Sequence, residues 1–324
     1  QTCALPIYQC KESLVLDIKN PPDAQLLHTI LAQADVFVQN LSPGALERAG
    51  FGSDTLRERN ERLITCDISG YGESSDVADK KAYDLLVQAE SGLVGISGSP
   101  NELGRIGVSM VDAGTGMTAY YGVLEAIIQR GITGKGSGVR VSLFDVAADW
   151  MTVPLTQHDF GAGGPTRVGL KHPTIAPYGA FETSDGSLTL ISIQNEREWV
   201  RLCDHALGSP EMATDTRFDS NANRVANRDA LESDMNRIIG ALDQSTFQSG
   251  LADASIAYGN VSSLADLSSH PALRRRTVHT STGQTVELPA HPVRWTELPG
   301  MVDRPGGRVP TIGEHTDTIR AEFA

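Results

Sequence analysis

The sequence has few cysteines and no long apolar run. Its 324 residues include four cysteines (Cys3, Cys10, Cys66 and Cys203), and no two of them form a CxxC pair. This spacing argues against a disulfide framework or a zinc site and indicates a reducing, cytoplasmic setting. No apolar stretch approaches the roughly 20 residues of a membrane-spanning helix. We therefore expect no membrane partner.

Positive charge is also scarce. The chain has 27 Lys and Arg residues against 40 Asp and Glu residues, so its formal net charge is −13. General nucleic-acid and membrane-surface binders are usually basic, and this composition argues against both. The eight histidines show no HxxxH or HExxH spacing, so we expect no metal site. An anionic ligand would need a local cluster of basic residues.

The first part of the chain does contain an alternation of strand-like and helix-like segments. Residues 13–18, 36–38 and 63–69 are short, nearly continuous apolar runs, which are typical of strands buried on both faces. Helical patterns follow from Pro21 and over residues 44–59. This alternation predicts an α/β protein with a doubly wound parallel sheet.

The pattern changes near residue 155. A Gly- and Pro-containing stretch at 161–165 indicates a linker or mobile loop, and a strand at 188–193 followed by helices indicates a second, smaller α/β region. Alternating β-branched residues over 278–293 predict strands, and a final helix is predicted over 314–323. The predicted domains are a large domain of residues 1–155 and 276–324, interrupted by a small domain of residues 156–275.

Asp112 lies where a short buried run over 106–111 meets a predicted helix. Apolar residues recur after it at three- and four-residue spacing through Ile128. The neighbouring Gly114 and Gly116 leave room for a ligand near the backbone. A carboxylate here is either a helix cap, its commonest role before a helix, or a reactive group at the end of a core element. The spacing alone favours the cap.

Several motifs along the chain resemble the family III CoA-transferases, also called the CaiB/BaiF family. The family includes formyl-CoA transferase, carnitine CoA-transferase and α-methylacyl-CoA racemase. The resemblance implies an acyl-CoA and a carboxylic acid as substrates, no permanently bound cofactor, and an interlaced homodimer. The motifs, in the family order, are KESLVLDIK, VQNLSPGALERAGFG, ITCDISGYG, KAYDLLVQAESGL, GVSMVDAGTGM, TGKGSGVRVSLFD, PYGAFETSDGSLTL and PTIGEHTDTI.

The resemblance assigns the catalytic nucleophile to Asp112. The implied mechanism is covalent: the carboxylate attacks the donor thioester, and an aspartyl anhydride and an enzyme–CoA thioester follow. Tyr83 and Asp84 are implied on the substrate side, and a second carboxylate would raise the pKa of the nucleophile. The structural alternative for this pair is an ordinary helix edge with a cap. Backbone N–H groups of Gly114 and Gly116 are the expected oxyanion donors.

The resemblance also implies contacts with CoA. Lys and Arg suit its phosphates, although a solvated surface position is the usual place for these residue types. Leu41 stands where many relatives have an aromatic residue, so we expect weaker stacking on the adenine. The implied contact positions are Leu16, Lys19, Asn40, Leu41, Ala45, Arg48 and Lys81.

Two positions separate the branches of the family. Racemase members carry His where this chain has Tyr83 and Glu where it has Asn195, so the transferase branch is favoured. The alternatives are an α-methylacyl-CoA racemase or isomerase, and a fragment without activity. The YDLLVQAESGL motif is similar to that of members acting on short dicarboxylic acids such as succinate or mesaconate.

The first seven residues, QTCALPI, match the translation of the end of a common sequencing adapter. Family members carry a further strand–helix–strand region before the motif at 11–19. We therefore expect residues 1–7 to be an adapter artefact and the natural N-terminal region to be missing.

Overall fold

The computed structural model describes residues 8–73, 76–161, 163–296 and 306–323. Residues 1–7, for which we predict an adapter origin, lie outside the described residues. The strands, in chain order, are β1 (Val36–Gln39), β2 (Ile64–Ser69), β3 (Gly98–Ser99), β4 (Glu102–Leu103), β5 (Gly138–Ser142), β6 (Tyr178–Glu182), β7 (Leu188–Ser192), β8 (Tyr258–Asn260), β9 (Arg275–His279) and β10 (Thr285–Pro289).

Helices connect and flank these strands. A π-helical turn over Leu202–Ala206 and a 3-10 turn over Pro210–Ala213 add to them. The α-helices are α1 (Pro21–Gln33), α2 (Ala45–Arg48), α3 (Ser53–Arg59), α4 (Asp84–Glu90), α5 (Leu93–Ile96), α6 (Met110–Thr133), α7 (Leu143–Trp150), α8 (Thr152–Phe160), α9 (Glu196–Arg201), α10 (Asn221–Ala226), α11 (Arg228–Ile239), α12 (Gln244–Asp253), α13 (Leu264–Ser269) and α14 (Thr316–Glu322).

A three-stranded parallel sheet has the order β1-β2-β5. β1 pairs with β2 from Val36 opposite Ile64, and β2 pairs with β5 from Thr65 opposite Gly138. Parallel neighbours need a crossover connection rather than a tight turn, and α2 and α3 lie in the connection between β1 and β2. The predicted α/β class and the parallel sheet are confirmed.

Contacts divide the chain into two compact units, which we describe separately. The predicted domain bounds at residues 155 and 275 stay predictions. The contact division differs from them: it groups residues 81–114 and 143–155 with the second unit, and residues 264–275 with the first. Unit 1 comprises Gln1–Lys80, Thr115–Ser142 and Leu264–Ala324, and unit 2 comprises Lys81–Gly114 and Leu143–Ser263.

In unit 1, helices α1–α3 and β1 pack around a small apolar core. Pro21 is the first residue of α1, where its missing N–H removes no intrahelical hydrogen bond. The buried residues of this core are Leu31, Leu46, Phe51, Leu56 and Leu63.

The strand predicted over residues 13–18 is wrong, because this segment pairs with no strand of the described chain. Its polar groups bind the C-terminal segment instead. Ser13 donates its N–H to His315 Nδ1 at 3.0 Å and accepts from the His315 N–H at 3.0 Å, while Val15 donates to Thr316 Oγ1 at 3.2 Å. Side-chain acceptors thus replace the ladder partner that a strand needs.

In unit 2, an antiparallel sheet of order β6-β7-β8 packs against helices α9–α12. Arg224 is buried there, donates to Glu196 Oε2 at 2.7 Å and lies 5.0 Å from the Trp199 ring. A buried guanidinium needs such partners. The strand predicted at 188–193 is confirmed as β7, and in unit 1 the predicted C-terminal helix is confirmed as α14.

Candidate active site

Asp112 is the third residue of α6. The prediction of a helix beginning here is confirmed, and α6 continues five residues beyond Ile128. The preceding run over 106–111 is largely an exposed loop, and of this run only Val111 is fully buried. The prediction of a buried segment before Asp112 is therefore wrong, since an apolar composition does not ensure that a short loop is covered.

Asp84 takes the capping role at the start of α6. Its Oδ2 accepts the Val111 N–H at 2.8 Å and the Asp112 N–H at 3.1 Å. First-turn amides have no acceptor within their own helix, and a negative charge at this end is also favoured by the helix dipole. The exposed carboxylate of Asp112 forms no hydrogen bond or ion pair with described residues, so it is not used as a cap.

Gln88 holds Asp84 in this position. It is fully buried in α4, one turn after Asp84. Its Nε2 donates to Asp84 Oδ1 at 2.5 Å, and its Oε1 accepts the Ile106 N–H at 3.1 Å. Gln88 was not predicted from the sequence. The signal for it was its four-residue spacing from Asp84, which places both residues on one helix face.

The environment of Asp112 favours the neutral form of its carboxyl group. Partial burial raises its pKa first, and the negative charge of Asp84 raises it further. Both effects oppose placing a charge there. The ionised Asp112 is consequently a more basic carboxylate, and a better nucleophile, than an ordinary surface aspartate.

Tyr83 immediately precedes α4 and is 70% exposed. Its side chain is therefore accessible to a ligand. The run Leu85-Leu86-Val87 after it is not buried throughout, because Leu85 and Leu86 are exposed and only Val87 is enclosed.

The expectation that Gly114 and Gly116 supply oxyanion donors is wrong. Ala113 already donates its N–H to the Ser109 carbonyl at 3.0 Å, so later amides lie within the helical hydrogen-bond ladder. Gly114 has a packing role instead: a Cβ there would lie 2.3 Å from Trp150 Cζ2. Gly116 has open space beside it.

Four of the implied CoA contacts lie in unit 1, directly after β1. Asn40 and Leu41 are in the exposed loop, and Ala45 and Arg48 are on α2. Gly44 joins the two groups with a φ of +71°, and a Cβ at this glycine would lie 2.6 Å from Arg48 Nη1. The absence of a side chain at Gly44 thus lets the Arg48 guanidinium fold back over the loop.

A polar network fixes the start of this loop. Asp67 Oδ1 on β2 accepts from Gln39 Nε2 and from Ser53 Oγ, both at 2.7 Å. Gln39 Oε1 in turn accepts the Leu41 N–H at 2.8 Å. These three polar residues were not singled out in the sequence, where nothing indicates that they meet.

The remaining implied contacts are Leu16, Lys19 and Lys81. Leu16 is half-buried and Lys19 exposed in the segment before α1, while Lys81 is exposed at the start of unit 2. Neither lysine forms an ion pair with described residues. Both charges are thus available to an anionic ligand.

Two further features bear on function. Among the described residues, no helix combines the length and apolar character needed to cross a membrane. Within the same part of the chain, no three His, Cys, Asp or Glu residues are grouped so as to hold a metal ion.

Curated relatives extend over almost the whole chain. Acetyl-CoA:oxalate CoA-transferase of Acetobacter aceti is 32% identical over 316 residues, covering 97% of this chain and 80% of the relative. Succinyl-CoA:glutarate CoA-transferase of Mus musculus is 29% identical over 327 residues, covering 99% of this chain and 74% of the relative.

Solved structures share the fold. A CaiB/BaiF family protein from Brucella suis superposes with a TM-score of 0.82 at 28% identity, covering 98% of this chain and 82% of that chain. Rv3272 from Mycobacterium tuberculosis superposes with a TM-score of 0.84 at 24% identity, covering 97% and 85%. The family model of CoA-transferase family III matches residues 3–316. The chain therefore belongs to CoA-transferase family III and is a CoA-transferase.

Proposed function

We propose that this enzyme moves CoA from an acyl-CoA to a short dicarboxylic acid, with Asp112 as the covalent nucleophile. The observation that carries the proposal is the environment of the Asp112 carboxylate. Its carboxylate is exposed, has a raised pKa and no hydrogen-bond partner among described residues, while Asp84 takes over the capping of α6. A structural aspartate at a helix start would make those capping bonds itself.

In the first half-reaction, the Asp112 carboxylate attacks the thioester carbonyl of the donor. The C–S bond breaks, and a mixed anhydride and the CoA thiolate result. The thiolate then attacks the aspartyl carbonyl of the anhydride, which releases the donor acid and leaves CoA bound to Asp112 as a thioester. An acceptor carboxylate reverses these two steps, so no net proton or electron is consumed.

The tetrahedral intermediates need N–H donors. We assign this role to the loop before α6, because the amides of Gly107, Val108 and Ser109 donate to no acceptor in the described chain. Gly107 also has open space around its Cα, so a ligand can approach the backbone there. Tyr83 is proposed to contact the acid part of the substrate through its exposed ring.

The identity of the acceptor is supported by the named relatives. Oxalate and glutarate, which the Acetobacter and mouse enzymes accept by name, are both dicarboxylates. CoA is proposed to bind the unit 1 segments that contain Leu16, Lys19 and the loop from Asn40 to Arg48, with Lys81 as a further contact.

We also propose a homodimer with an interlaced, doubly wound large domain. One face of α6 exposes a continuous apolar surface, and such surfaces mark interaction sites. It includes Met117, Tyr120, Tyr121, Leu124, Ile127, Ile128 and Ile132. A cytoplasmic location is proposed because Cys10, Cys66 and Cys203 are free thiols.

The experiment that tests the function is a substrate panel. Acetyl-, succinyl- and formyl-CoA are each incubated with oxalate, succinate, glutarate, mesaconate and acetate, and the product thioesters are identified by mass spectrometry. We expect the dicarboxylates to accept CoA at least about tenfold faster than acetate, which is about 1.4 kcal/mol in the barrier. Equal rates with acetate would remove the proposed specificity, and solvent deuterium entering the α-carbon of a 2-methylacyl-CoA would favour a racemase.

A further inference from the structure

The C-terminal hairpin of unit 1 concentrates positive charge on residues that have no role in the transferase mechanism proposed above. Four arginines and two histidines, from β9 and from the segments before β9 and after β10, line one cleft of about 540 Å³, and the cleft lining contains no Asp or Glu among the described residues. The whole chain, by contrast, has a net charge of −13. The six residues are Arg274, Arg275, Arg276, His279, His291 and Arg294.

Two of these arginines are anchored and support the walls of the cleft. Arg274 donates to the His291 carbonyl at 2.7 Å, which joins the chain before β9 to the chain after β10. Arg275 donates to the Ser268 carbonyl and to Ser268 Oγ, both at 2.8 Å. The Arg274 bond therefore connects the two sides of the cleft, and the Arg275 bonds hold β9 against α13.

Two other arginines of the cleft have N–H donors without a hydrogen-bond partner among described residues. Arg276 has a buried Nε without a hydrogen-bond partner, and a buried donor of this kind is costly unless something accepts from it. Arg294 is exposed and forms no hydrogen bond or ion pair with described residues. The carboxylate of the hairpin, Glu287, is outside the lining and accepts from Thr277 Oγ1 at 2.6 Å.

We propose that this hairpin cleft binds the phosphoryl groups of a small polyanion through Arg276 and Arg294. The planar guanidinium matches a phosphate with two parallel hydrogen bonds. Several positive charges around one cleft are favourable only when an anion compensates their repulsion. The volume also lies within the range of small-molecule sites. The phosphoryl groups come either from a separate phosphorylated molecule or from CoA itself.

Inorganic pyrophosphate serves as the probe, titrated into the full chain and followed by isothermal calorimetry. We expect binding below about 1 mM, and at least a fivefold weaker affinity in Arg276→Gln and in Arg294→Gln. The control is Arg237→Gln, because Arg237 is an exposed arginine of α11 without a partner among described residues. Its affinity should equal that of the unsubstituted chain.

Arg294 is exposed, so its substitution tests the site even if Arg276→Gln unfolds the hairpin. No pyrophosphate binding up to 1 mM, or an unchanged affinity in Arg294→Gln, overturns the proposal. Succinate binding as tightly as pyrophosphate overturns it too, since the site would then select carboxylates. If the KM for the acyl-CoA donor rises in Arg294→Gln, the phosphates are those of CoA; if it is unchanged, a separate molecule supplies them. Only this last comparison rests on the proposed transferase function.

Discussion

The carboxylate of Asp112 is exposed at the start of α6 without a hydrogen-bond partner among described residues, although two amides of the same helical turn are capped. A side chain in this state contributes little to folding. Asp112→Asn should therefore preserve the melting temperature within about 2 °C, and should lower the transfer rate by roughly 10³-fold or more because an amide is a poor nucleophile.

The measurement combines steady-state transfer with intact-protein mass spectrometry, which should detect the enzyme–CoA thioester in the unsubstituted chain alone. Asp149→Asn is the matched control, since Asp149 is an exposed aspartate of α7 in unit 2. A CoA adduct that persists in Asp112→Asn would place the nucleophile elsewhere.

Besides burial, the negative charge of Asp84 raises the pKa of Asp112. A substitution that removes this charge but keeps a hydrogen-bond acceptor distinguishes the charge effect from the capping bonds. Burial and Asp84 together raise the pKa of Asp112, and activity requires the ionised form, so activity is lost as the pH falls through that pKa. Asp84→Asn removes the charge but keeps one amide oxygen as an acceptor. We expect the acidic limb of kcat/KM to move to lower pH. A limb that stays in place would show that Asp84 acts by position alone.

The sequence predicted Asp112 and Asp84 as site residues, but not that Asp84 caps α6 and leaves the Asp112 carboxylate without a hydrogen-bond partner among described residues. Each residue lies in a short contiguous motif, so both can be recognised in the sequence. The division depends on which carboxylate reaches the amides of Val111 and Asp112, and on Gln88, which connects α4 to the Ile106 amide. Contacts between segments about 20 residues apart cannot be deduced from residue spacing. For this reason the spacing favoured Asp112 as the cap of α6, whereas the capping bonds are made by Asp84.

The loop between β1 and α2 depends on Gly44. Its φ of +71° is unfavourable for any residue with a side chain, by about 1 kcal/mol, and a Cβ would also displace Arg48. Gly44→Ala should therefore reduce both stability and CoA affinity. Gly50→Ala should reduce stability alone. Gly50 also has a positive φ, of +84°, but the space around its Cα is open, so a Cβ there displaces no side chain.

Both variants should lower the free energy of unfolding by a similar amount in urea titrations. CoA titration by calorimetry should show weaker binding only for Gly44→Ala, with Arg48→Ala as the reference for complete loss of the guanidinium. Equal CoA affinity in all three variants would remove this loop from the binding site.

Two strands predicted from apolar runs and the helix predicted from its spacing are confirmed, whereas a third apolar run does not form the strand predicted for it. The apolar runs at 36–38 and 63–69 form β1 and β2, and the spacing after Asp112 forms α6. The run at 13–18 is similarly rich in apolar residues but binds the C-terminal segment, through Ser13 and His315. An apolar run ensures neither burial, since Val15 is 51% exposed, nor a strand, which also requires a neighbour with free backbone groups.

The exposed apolar face of α6 is a feature of the whole molecule, because nothing in the described chain covers it. Residues that give this helix its three- and four-residue spacing are exposed, Ile128 by 66% and Ile132 by 76%. A spacing of this kind normally marks the face that packs against something else. The sequence indicated the apolar face correctly but could not indicate its partner, because composition is the same whether the cover is the same chain or a second copy.

A second copy is the proposed cover, and a charge on this face should prevent its binding. Ile128→Asp and Ile132→Asp each place an unpaired carboxylate in the interface, which should shift the protein from dimer to monomer in analytical ultracentrifugation at micromolar concentration. The control is Ile312→Asp, because Ile312 is 92% exposed in the loop before α14, away from the α6 face in sequence. It should leave the mass unchanged. If the α6 variants keep the mass of the unsubstituted chain while remaining folded by circular dichroism, this face does not form the dimer, and the apolar stripe needs another partner.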